Sequence, residues 1–246
     1  MIKIDKSNVP IPAVLGPNGN GEKAIEKLRT AFDNGDTSFV FNKKIYGHST
    51  VKEALKKIQH NKCCFCETSI THISHGDVEH FRPKAGYQVD EKQELVKPGY
   101  YWLAYDFANL FFCCQVCNQV YKKNYFPLAD ETKRANSHRA DIALEDSLIL
   151  NPALDEIVEH LMFDAEIIKP KNGSQKGAET IKRTGLNREF LLKERLEHLK
   201  KLRFLECIVL RNGEQADEIK AAFKEWGKSM SLFSAMVRAN FPKLVK

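Results

Sequence analysis

Long apolar runs are missing from this sequence of 246 residues. Nothing in it approaches the 18 consecutive apolar residues that a membrane span needs, so no span is expected. The first six residues, Met1 to Lys6, also lack the apolar core and the small-residue cleavage site of a secretory signal peptide. We therefore expect a cytoplasmic protein with no membrane partner.

Proline and glycine are scarce, with 9 and 13 residues, and the sequence contains no internal repeat and no low-complexity segment. A composition of 43% hydrophobic and 28% charged residues is ordinary for a folded chain. The length allows one large domain or two small ones, with a sizeable core that does not depend on disulfides.

Cysteines are few and odd in number, seven in all. A reducing cytosol keeps thiols free, and an odd count cannot pair off completely, so disulfides do not explain them. Six of the seven fall in two tight groups, 63–66 and 113–117, and Cys207 stands apart. Cysteines clustered in this way in an intracellular chain indicate a metal site.

The formal net charge of +6 is unevenly distributed. Between Ile167 and Arg203, eleven Lys and Arg residues are opposed by four acidic ones, so this stretch carries +7 and the remainder about −1. A basic stretch on a near-neutral chain is what a nucleic-acid backbone attracts. A solvated helix face explains the same charges equally well, and both interpretations stay open.

Helical periodicity is present at both ends of the chain and absent from its middle. Apolar residues at helical spacing predict helices at 22–32, 50–58, 155–163, 187–210 and 214–236. Ser49 or Thr50 is the expected cap of the second helix. From Cys63 to about Asp130, short runs rich in aromatic and β-branched residues alternate with turns instead.

We therefore predict an α+β protein built in three parts. Residues 1–61 form an N-terminal helical segment, residues 62–130 form a metal-bearing core, and residues 131–246 form a C-terminal helical region.

Two cysteine pairs have the i, i+3 spacing of zinc knuckles. Cys63 pairs with Cys66, and Cys114 pairs with Cys117. Together they supply four thiolates, which zinc binds at ~2.3 Å in a tetrahedron. The 47 residues between the pairs imply an inserted element. Four thiolates leave no open position, so this zinc is structural, and the chemistry must lie beside it.

Two further cysteines, Cys64 and Cys113, fall outside the knuckle spacing. We assign them to the core or to the surroundings of the zinc site.

Between the knuckles, Glu79 and His80 offer an oxygen ligand and a proton acceptor one residue apart. The alternation around them suits a short strand, which Pro83 ends. Neighbouring strand residues face opposite ways, so a bulge or twist is needed for both to serve one site. Asn118 directly follows the second knuckle, where a helix is expected to begin, and Cys117 fixes its position.

This arrangement predicts a one-metal phosphodiesterase. Glu79 and the side-chain oxygen of Asn118 hold a hard divalent ion, Mg²⁺ or Mn²⁺. Neutral His80 takes the proton of an attacking water, since the ordinary pKa of histidine, ~6.5, suits that role. Asn109 orients His80 or ties down its loop. The candidates for gripping phosphate oxygens are basic residues close by, namely Arg82, Lys84, Lys122 and Lys123.

Each of these residues also has a plainer interpretation. A Glu-His pair is often the polar face of a strand, Asn109 could be a turn residue, and Asn118 could be a helix cap. The order knuckle, Glu-His-x-x-Pro, Asn-Leu, knuckle, Asn favours the functional interpretation. The other histidines, His72 and His75 included, are assigned to the surface.

The same residues resemble the HNH (ββα-metal) endonucleases that carry a four-cysteine, treble-clef-like zinc site. In that superfamily the histidine of an Asp/Glu-His-x-x-Pro strand is the general base. Its acidic neighbour is one metal ligand, and an Asn or His that opens the helix is the other. The resemblance assigns these roles to His80, Glu79 and Asn118, with Asn109 as the middle asparagine. Glu in place of the more frequent Asp, and Asn in place of the terminal His, are the departures.

Longer phrases narrow the resemblance to the PtuB-like HNH nucleases. The phrases are Lys62–Glu67 (KCCFCE), Glu79–Lys84 (EHFRPK), Cys114–Asn118 (CQVCN), Phe126–Leu128 (FPL) and Thr184–Arg188 (TGLNR). The resemblance covers about residues 50 to 205. It implies an HNH nuclease core at 62–130, flanked by N- and C-terminal α-helices.

The family also implies a biological setting. PtuB-like proteins act in bacterial anti-phage defence with a PtuA ATPase in Septu systems, and in some retrons that add a reverse transcriptase and its DNA–RNA hybrid. The resemblance implies that the partner restrains the nuclease and that infection releases it. The C-terminal helices then dock the partner or pack on the core, and both alternatives stay open.

Two functions of different class follow from this. The first is a defence nuclease that cuts DNA or RNA, tRNA included. The second is a non-catalytic zinc module that binds nucleic acid or a partner, with Glu79 and His80 as remnants.

Overall fold

The computed structural model describes residues 1–70, 75–211 and 213–246. Its elements, in chain order, are α1 Asn20–Asp33, α2 Lys43–Tyr46, α3 Ser49–Ile58, β1 Asp77–His80, β2 Leu110–Cys113, a π-helix Val116–Lys122, α4 Ile157–His160, β3 Leu161–Asp164, β4 Ile167–Pro170, α5 Gln175–Thr184, α6 Glu189–Leu210, α7 Ala216–Trp226 and α8 Ser234–Asn240. Helices and two small sheets together confirm the α+β class. The surface assignment of His72 lies outside the described residues.

The two predicted N-terminal helices are present as α1 and α3. Both bury their apolar stripe, with Leu28 in α1 and Leu55 in α3 inside the core. The cap of α3 was predicted wrongly as Ser49 or Thr50. His48 fills that place, because its Nδ1 accepts a hydrogen bond from the backbone N–H of Thr50.

The middle of the chain runs strand, strand, helix. β1 pairs antiparallel with β2, with Asp77 opposite Cys113 and His80 opposite Leu110. The π-helix follows β2 directly and contains the second knuckle's Cys117. Residues 81–109 are the inserted element that the long cysteine spacing implied.

Two of the C-terminal helices were predicted wrongly. The segment 155–163 is helical for one turn in α4 and then becomes β3, which forms a hairpin with β4. Leu161 and Phe163 lie on the more buried face of β3, so their apolar pattern has the period of a strand rather than a helix. The segment 214–236 is divided into α7 and α8 by an irregular stretch that ends at Phe233, whose φ of 49° is left-handed.

The core passes without a break through all three predicted parts. One cluster of buried apolar side chains takes in Leu28 and Leu55, Phe65 and Phe111, and Leu199 and Phe241 among its members. α6 contributes its inner face to this cluster. The C-terminal region is therefore packed on the metal-bearing core. No helix among the described residues is long and apolar enough to cross a membrane.

The phrase Thr184–Arg188 joins these parts at one point. Gly185 ends α5 in the left-handed conformation, with a φ of 60°. A Cβ atom there would lie 2.5 Å from the ring of Tyr121 in the π-helix, so glycine is required. Arg188, just beyond, donates from Nη1 to the Sγ of Cys117 at 3.4 Å. The phrase thus holds the C-terminal region against the second knuckle.

Candidate active site and metal centre

The two knuckles meet and form a site that could hold a zinc ion. The Sγ atoms of Cys63, Cys66, Cys114 and Cys117 all lie within 4.8 Å of one another. Thiolates at ~2.3 Å from zinc in a tetrahedron are about 3.8 Å apart, and the Cys66 and Cys114 sulfurs are 3.9 Å apart. The four residues thus fit a structural zinc ion in spacing and in donor type.

The surroundings of this site favour the thiolate form of Cys114 and Cys63, while other thiols raise the pKa of Cys117. Hydrogen bonds from other thiols, first that of Cys113 and then that of Cys117, lower the pKa of Cys114 to about 4. The guanidinium of Arg188 adds a positive charge beside Cys117. A zinc ion with four thiolates carries two net negative charges, and a neighbouring cation offsets part of them.

Cys64 and Cys113 lie against the four-cysteine group. Cys113 Sγ is 3.6 Å from Cys63 Sγ, and both extra cysteines are buried. Burial raises the pKa of each of these two thiols well above its ordinary value. They therefore lie in the core beside the zinc site as neutral groups.

His80 ends β1 and is fixed by its neighbours. Its Nε2 lies 2.9 Å from the carbonyl oxygen of Ala104, so Nε2 carries the proton and donates. Its Nδ1 lies 3.3 Å from the Nζ of Lys84, and the ring of Tyr46 packs edge-on at 4.7 Å. Burial lowers the pKa of the His80 imidazole well below 6.5, and the Lys84 ammonium lowers it further. His80 is thus neutral, with its Nδ1 lone pair toward Lys84.

Glu79 forms a buried ion pair with Lys122. Its Oε1 lies 2.6 Å from Lys122 Nζ, and the side chains are 4% and 0% exposed. Burial raises the pKa of the Glu79 carboxyl, and the Lys122 ammonium opposes this shift. Lys122 also donates to the carbonyl oxygen of His80 at 3.3 Å. Lys122 therefore fixes both members of the Glu-His pair.

Asn118, in the π-helix, lies near Glu79 and His80. Its Nδ2 donates to Asp77 Oδ2 at 3.0 Å, which leaves its side-chain oxygen as the atom available to a cation. A cleft of about 120 Å³ is lined by Glu79, His80, Lys84 and Asn118, with Lys123 at its edge. We call it the His80 cleft. A carboxylate and an amide oxygen at one cleft are donors of the type that Mg²⁺ and Mn²⁺ prefer.

The bulge that the sequence suggested for β1 is not present. Pairing with β2 is regular at all four positions from Asp77 to His80. Glu79 and His80 nevertheless line one cleft, at the point where the strand ends and the chain turns away.

Asn109 ties down the loop after His80. Its Oδ1 accepts from the backbone N–H of Arg82 at 2.8 Å, and its Nδ2 donates to the carbonyl oxygens of Arg82 and Leu103. The side chain thus clamps the loop from the base of β2. This geometry fits the positioning role expected for it, while a part in catalysis stays a prediction.

The four candidates for phosphate contacts separate into two pairs. Lys84 and Lys123 line the His80 cleft. Arg82 instead pairs with buried Glu145, Nε to Oε2 at 2.8 Å, and Lys122 is fully buried against Glu79. Both side chains thus have acidic partners within this chain, and a phosphate contact from either one stays a prediction.

The basic stretch 167–203 is largely neutralised too. Seven of its eleven basic side chains form ion pairs: Lys169, Lys171, Lys176, Lys182, Arg183, Lys193 and Lys200. Arg195 is buried and donates to the carbonyl oxygen of Leu186. These contacts favour the solvated-helix interpretation of the charge over a nucleic-acid surface.

Sequence reasoning missed two groups that position His80. Tyr46 comes from α2, outside the predicted core, and the Ala104 carbonyl comes from the inserted element. No pattern could identify the second, since any residue supplies a backbone carbonyl. Tyr46 lies near Lys43 and Lys44 in a basic phrase, which was a weak signal at most.

Comparison with known proteins places this site in a family. No family model matches the chain. The chain is 37% identical over 245 residues to the Septu protein PtuB of Bacillus mycoides (strain KBAB4), and the match covers 95% of this chain and 82% of that protein. The chain belongs to the PtuB family. The PtuB part of the resemblance is thereby confirmed, and the match extends beyond residues 50 to 205 to nearly the whole chain. The HNH part of the resemblance stays a prediction.

Proposed function

We propose that this PtuB-family protein is a metal-dependent HNH endonuclease that hydrolyses phosphodiester bonds of nucleic acid. The observation that carries the proposal is His80, a buried neutral imidazole whose Nε2–H is held by the Ala104 carbonyl. Its Nδ1 borders a cleft that also holds a carboxylate and an amide oxygen. A base, oxygen ligands and cations in one cleft are the parts that phosphodiester hydrolysis needs.

In this mechanism His80 accepts the proton of the attacking water at Nδ1. The fixed Nε2–H···O bond orients the ring, so the lone pair on Nδ1 is the one available. Lys84 donates to that lone pair without substrate. An incoming phosphate draws the Lys84 ammonium to its own oxygens, which frees Nδ1 and neutralises charge on the phosphate.

Glu79 and the Asn118 oxygen would hold a divalent cation. When bound, such an ion supplies electrostatic stabilisation of the phosphate and of the leaving oxygen. The Lys122 ammonium opposes the rise that burial imposes on the pKa of Glu79, and the ion pair holds the carboxyl group in place. Asn109 and Tyr46 keep His80 and its loop in position.

The PtuB name of the relative supports a role in Septu anti-phage defence. We propose a PtuA-like ATPase as the partner in that role, as the motif resemblance implies. A retron, which adds a reverse transcriptase and its DNA–RNA hybrid, is the alternative setting for the same role in defence. DNA and RNA, including tRNA, are both candidate substrates.

The proposal is tested by cleavage assays on the protein purified with its ATPase partner, with Mg²⁺ or Mn²⁺ and labelled DNA and RNA. His80→Ala is expected to lower the rate by roughly 10²–10⁴-fold, the usual contribution of a general base. His75→Ala removes an exposed histidine just before β1 and is the matched control, expected to cut like wild type. Equal cleavage by His80→Ala and wild type overturns the mechanism. Binding without cleavage by wild type, both in the complex and as the separate chain free of the partner's restraint, supports the non-catalytic zinc module.

A further inference from the structure

A second cleft of about 250 Å³ lies beside the His80 cleft. The two share Val78, Lys84 and Asn118. The far wall of the second cleft comes from the N-terminal helical segment, with Lys43 and Tyr46 in α2 and Lys52 in α3. The helical segment that the sequence placed outside the nuclease core therefore borders the candidate active site. We call this space the lysine cleft.

Positive charge dominates the lysine cleft. Lys43, Lys52 and Lys84 line it, and among the described residues none of the three is in an ion pair. The one carboxylate there, Asp77, accepts hydrogen bonds at Oδ2 from the side-chain amides of Asn118 and Gln119. In the stretch 167–203, by contrast, most lysines form ion pairs with acidic side chains.

Lys84 lies close enough to other cations for them to disfavour its charged form. Burial lowers the pKa of Lys84, and the cations of Lys122 and Lys43 lower it further against the pull of Glu79. Lys52 lines the cleft and donates to the carbonyl oxygen of Gly76 at 3.1 Å. Lysines that line one cleft and form no ion pair with a described residue favour binding of an anion from outside.

Tyr46 connects this wall with the catalytic histidine. Its ring contacts the His80 ring, and the Lys84 ammonium lies 4.8 Å from its centroid. Its hydroxyl forms no hydrogen bond within the described parts of the chain. A phenol hydroxyl and three ammonium groups are donors that suit phosphate oxygens.

We propose that the lysine cleft binds a backbone phosphate of the substrate strand next to the phosphodiester that enters the His80 cleft. The inference rests on the proposed nuclease function. The two clefts share Lys84 and Asn118 in their walls, so we expect consecutive phosphates of one strand to reach both. α2 and α3 then set where the strand lies, and Lys43 and Lys52 supply affinity without taking part in the chemistry.

The test is a binding measurement on the full-length chain carrying His80→Ala, so that no probe is cut. Fluorescence anisotropy gives the Kd for fluorescein-labelled oligonucleotides, one of single-stranded DNA and one of RNA, over a series of KCl concentrations. In that background, Lys43→Ala/Lys52→Ala is compared with Lys44→Ala/Lys57→Ala. The control pair removes one exposed lysine from each of the same two helices, so the net charge is matched.

Lys43→Ala/Lys52→Ala is expected to weaken binding and to reduce the slope of log Kd against log salt by about 0.7, the value for one lost contact to a single strand. The control pair should leave that slope unchanged. In the active enzyme, Lys43→Ala alone should raise KM with little change in kcat, because it removes binding that ground and transition states share. This single variant replaces an exposed side chain, so its fold is expected to be intact.

If the two double variants give equal slopes of log Kd against log salt, the proposal that the lysine cleft binds a phosphate is wrong. If wild type still cuts nucleic acid, the proposed function survives that result. If the His80→Ala parent binds neither probe at any salt concentration, the phosphate-binding role of the lysine cleft is wrong. The nuclease proposal is then contradicted as well, because the protein does not bind nucleic acid.

Discussion

Lys122→Met is the perturbation for which the structure gives the clearest magnitude. Lys122 Nζ lies 2.6 Å from Glu79 Oε1, and both side chains are almost completely withdrawn from water. Removal of one partner from a buried pair leaves an uncompensated charge, which costs about 3–5 kcal/mol. No discount for solvent screening applies at this burial. We therefore expect the free energy of unfolding to fall by about that amount.

The loss should depend on pH in a definite direction. Burial holds the pKa of the folded Glu79 carboxyl above its ordinary value of 4.5, and without the Lys122 cation it rises further. Above pH 4.5 the unfolded carboxyl releases its proton while the folded one keeps it, so the folded state binds more protons. Stability then falls as pH increases through this window until the folded pKa is passed. The penalty should be small near pH 4.5 and larger at pH 7.

Chemical denaturation of zinc-loaded protein measures both effects. Lys122→Met/Glu79→Leu is the second variant, since replacement of a buried pair by apolar residues is often close to neutral. It should recover most of the loss. Addition of Mg²⁺ should stabilise Lys122→Met but not the double variant if Glu79 binds the ion, because a ligand of the native state raises stability. A single variant as stable as wild type at pH 7 would refute the buried-charge reasoning.

Two further predictions concern the frame around the site. Asn109→Ala removes three hydrogen bonds from a buried position. It should lower the free energy of unfolding by about 3 kcal/mol, roughly 1 kcal/mol per bond. An unchanged denaturation midpoint would show that the loop does not need these hydrogen bonds. Cys114→Ser should lower both folded yield and the zinc content per chain, measured by elemental analysis. Cys207→Ser, at an exposed cysteine, is its control, and full zinc retention in Cys114→Ser would contradict the four-cysteine assignment.

The centre of the chain could be predicted from sequence because its signals depend on chemistry at fixed spacing. The i, i+3 cysteine pairs determine which sulfurs meet, whatever the insertion between them. The alternation around Glu79 and His80 predicted a short strand ended by Pro83, and the structure has a strand there, β1, that ends at His80. Residues fixed by a metal site or a turn are specified locally, so one sequence is sufficient to find them.

Burial of charge was not predictable in the same way. Lys122 and Lys123 are adjacent and chemically identical, yet one lies inside against Glu79 and the other lines the cleft. Lys122 is the last residue of the π-helix, whereas Lys123 lies just beyond its end with a left-handed φ of 47°, and no pattern in the sequence marks that end. The ion pair of Arg82 could not be predicted for a related reason, because its partner Glu145 lies 63 positions away in sequence.

The C-terminal region shows how tertiary contacts decide between two interpretations of one pattern. Its amphipathic helices could have docked a partner or packed on the core. In α6 the inner side chains Leu191, Leu199 and Leu202 are buried within this chain, so that face is occupied. Phe190 and Phe204 remain 77% and 70% exposed on the same helix. The apolar stripe of α6 that suggested docking is already part of the core. If α6 docks a partner, it must therefore use the side that carries these two aromatic rings.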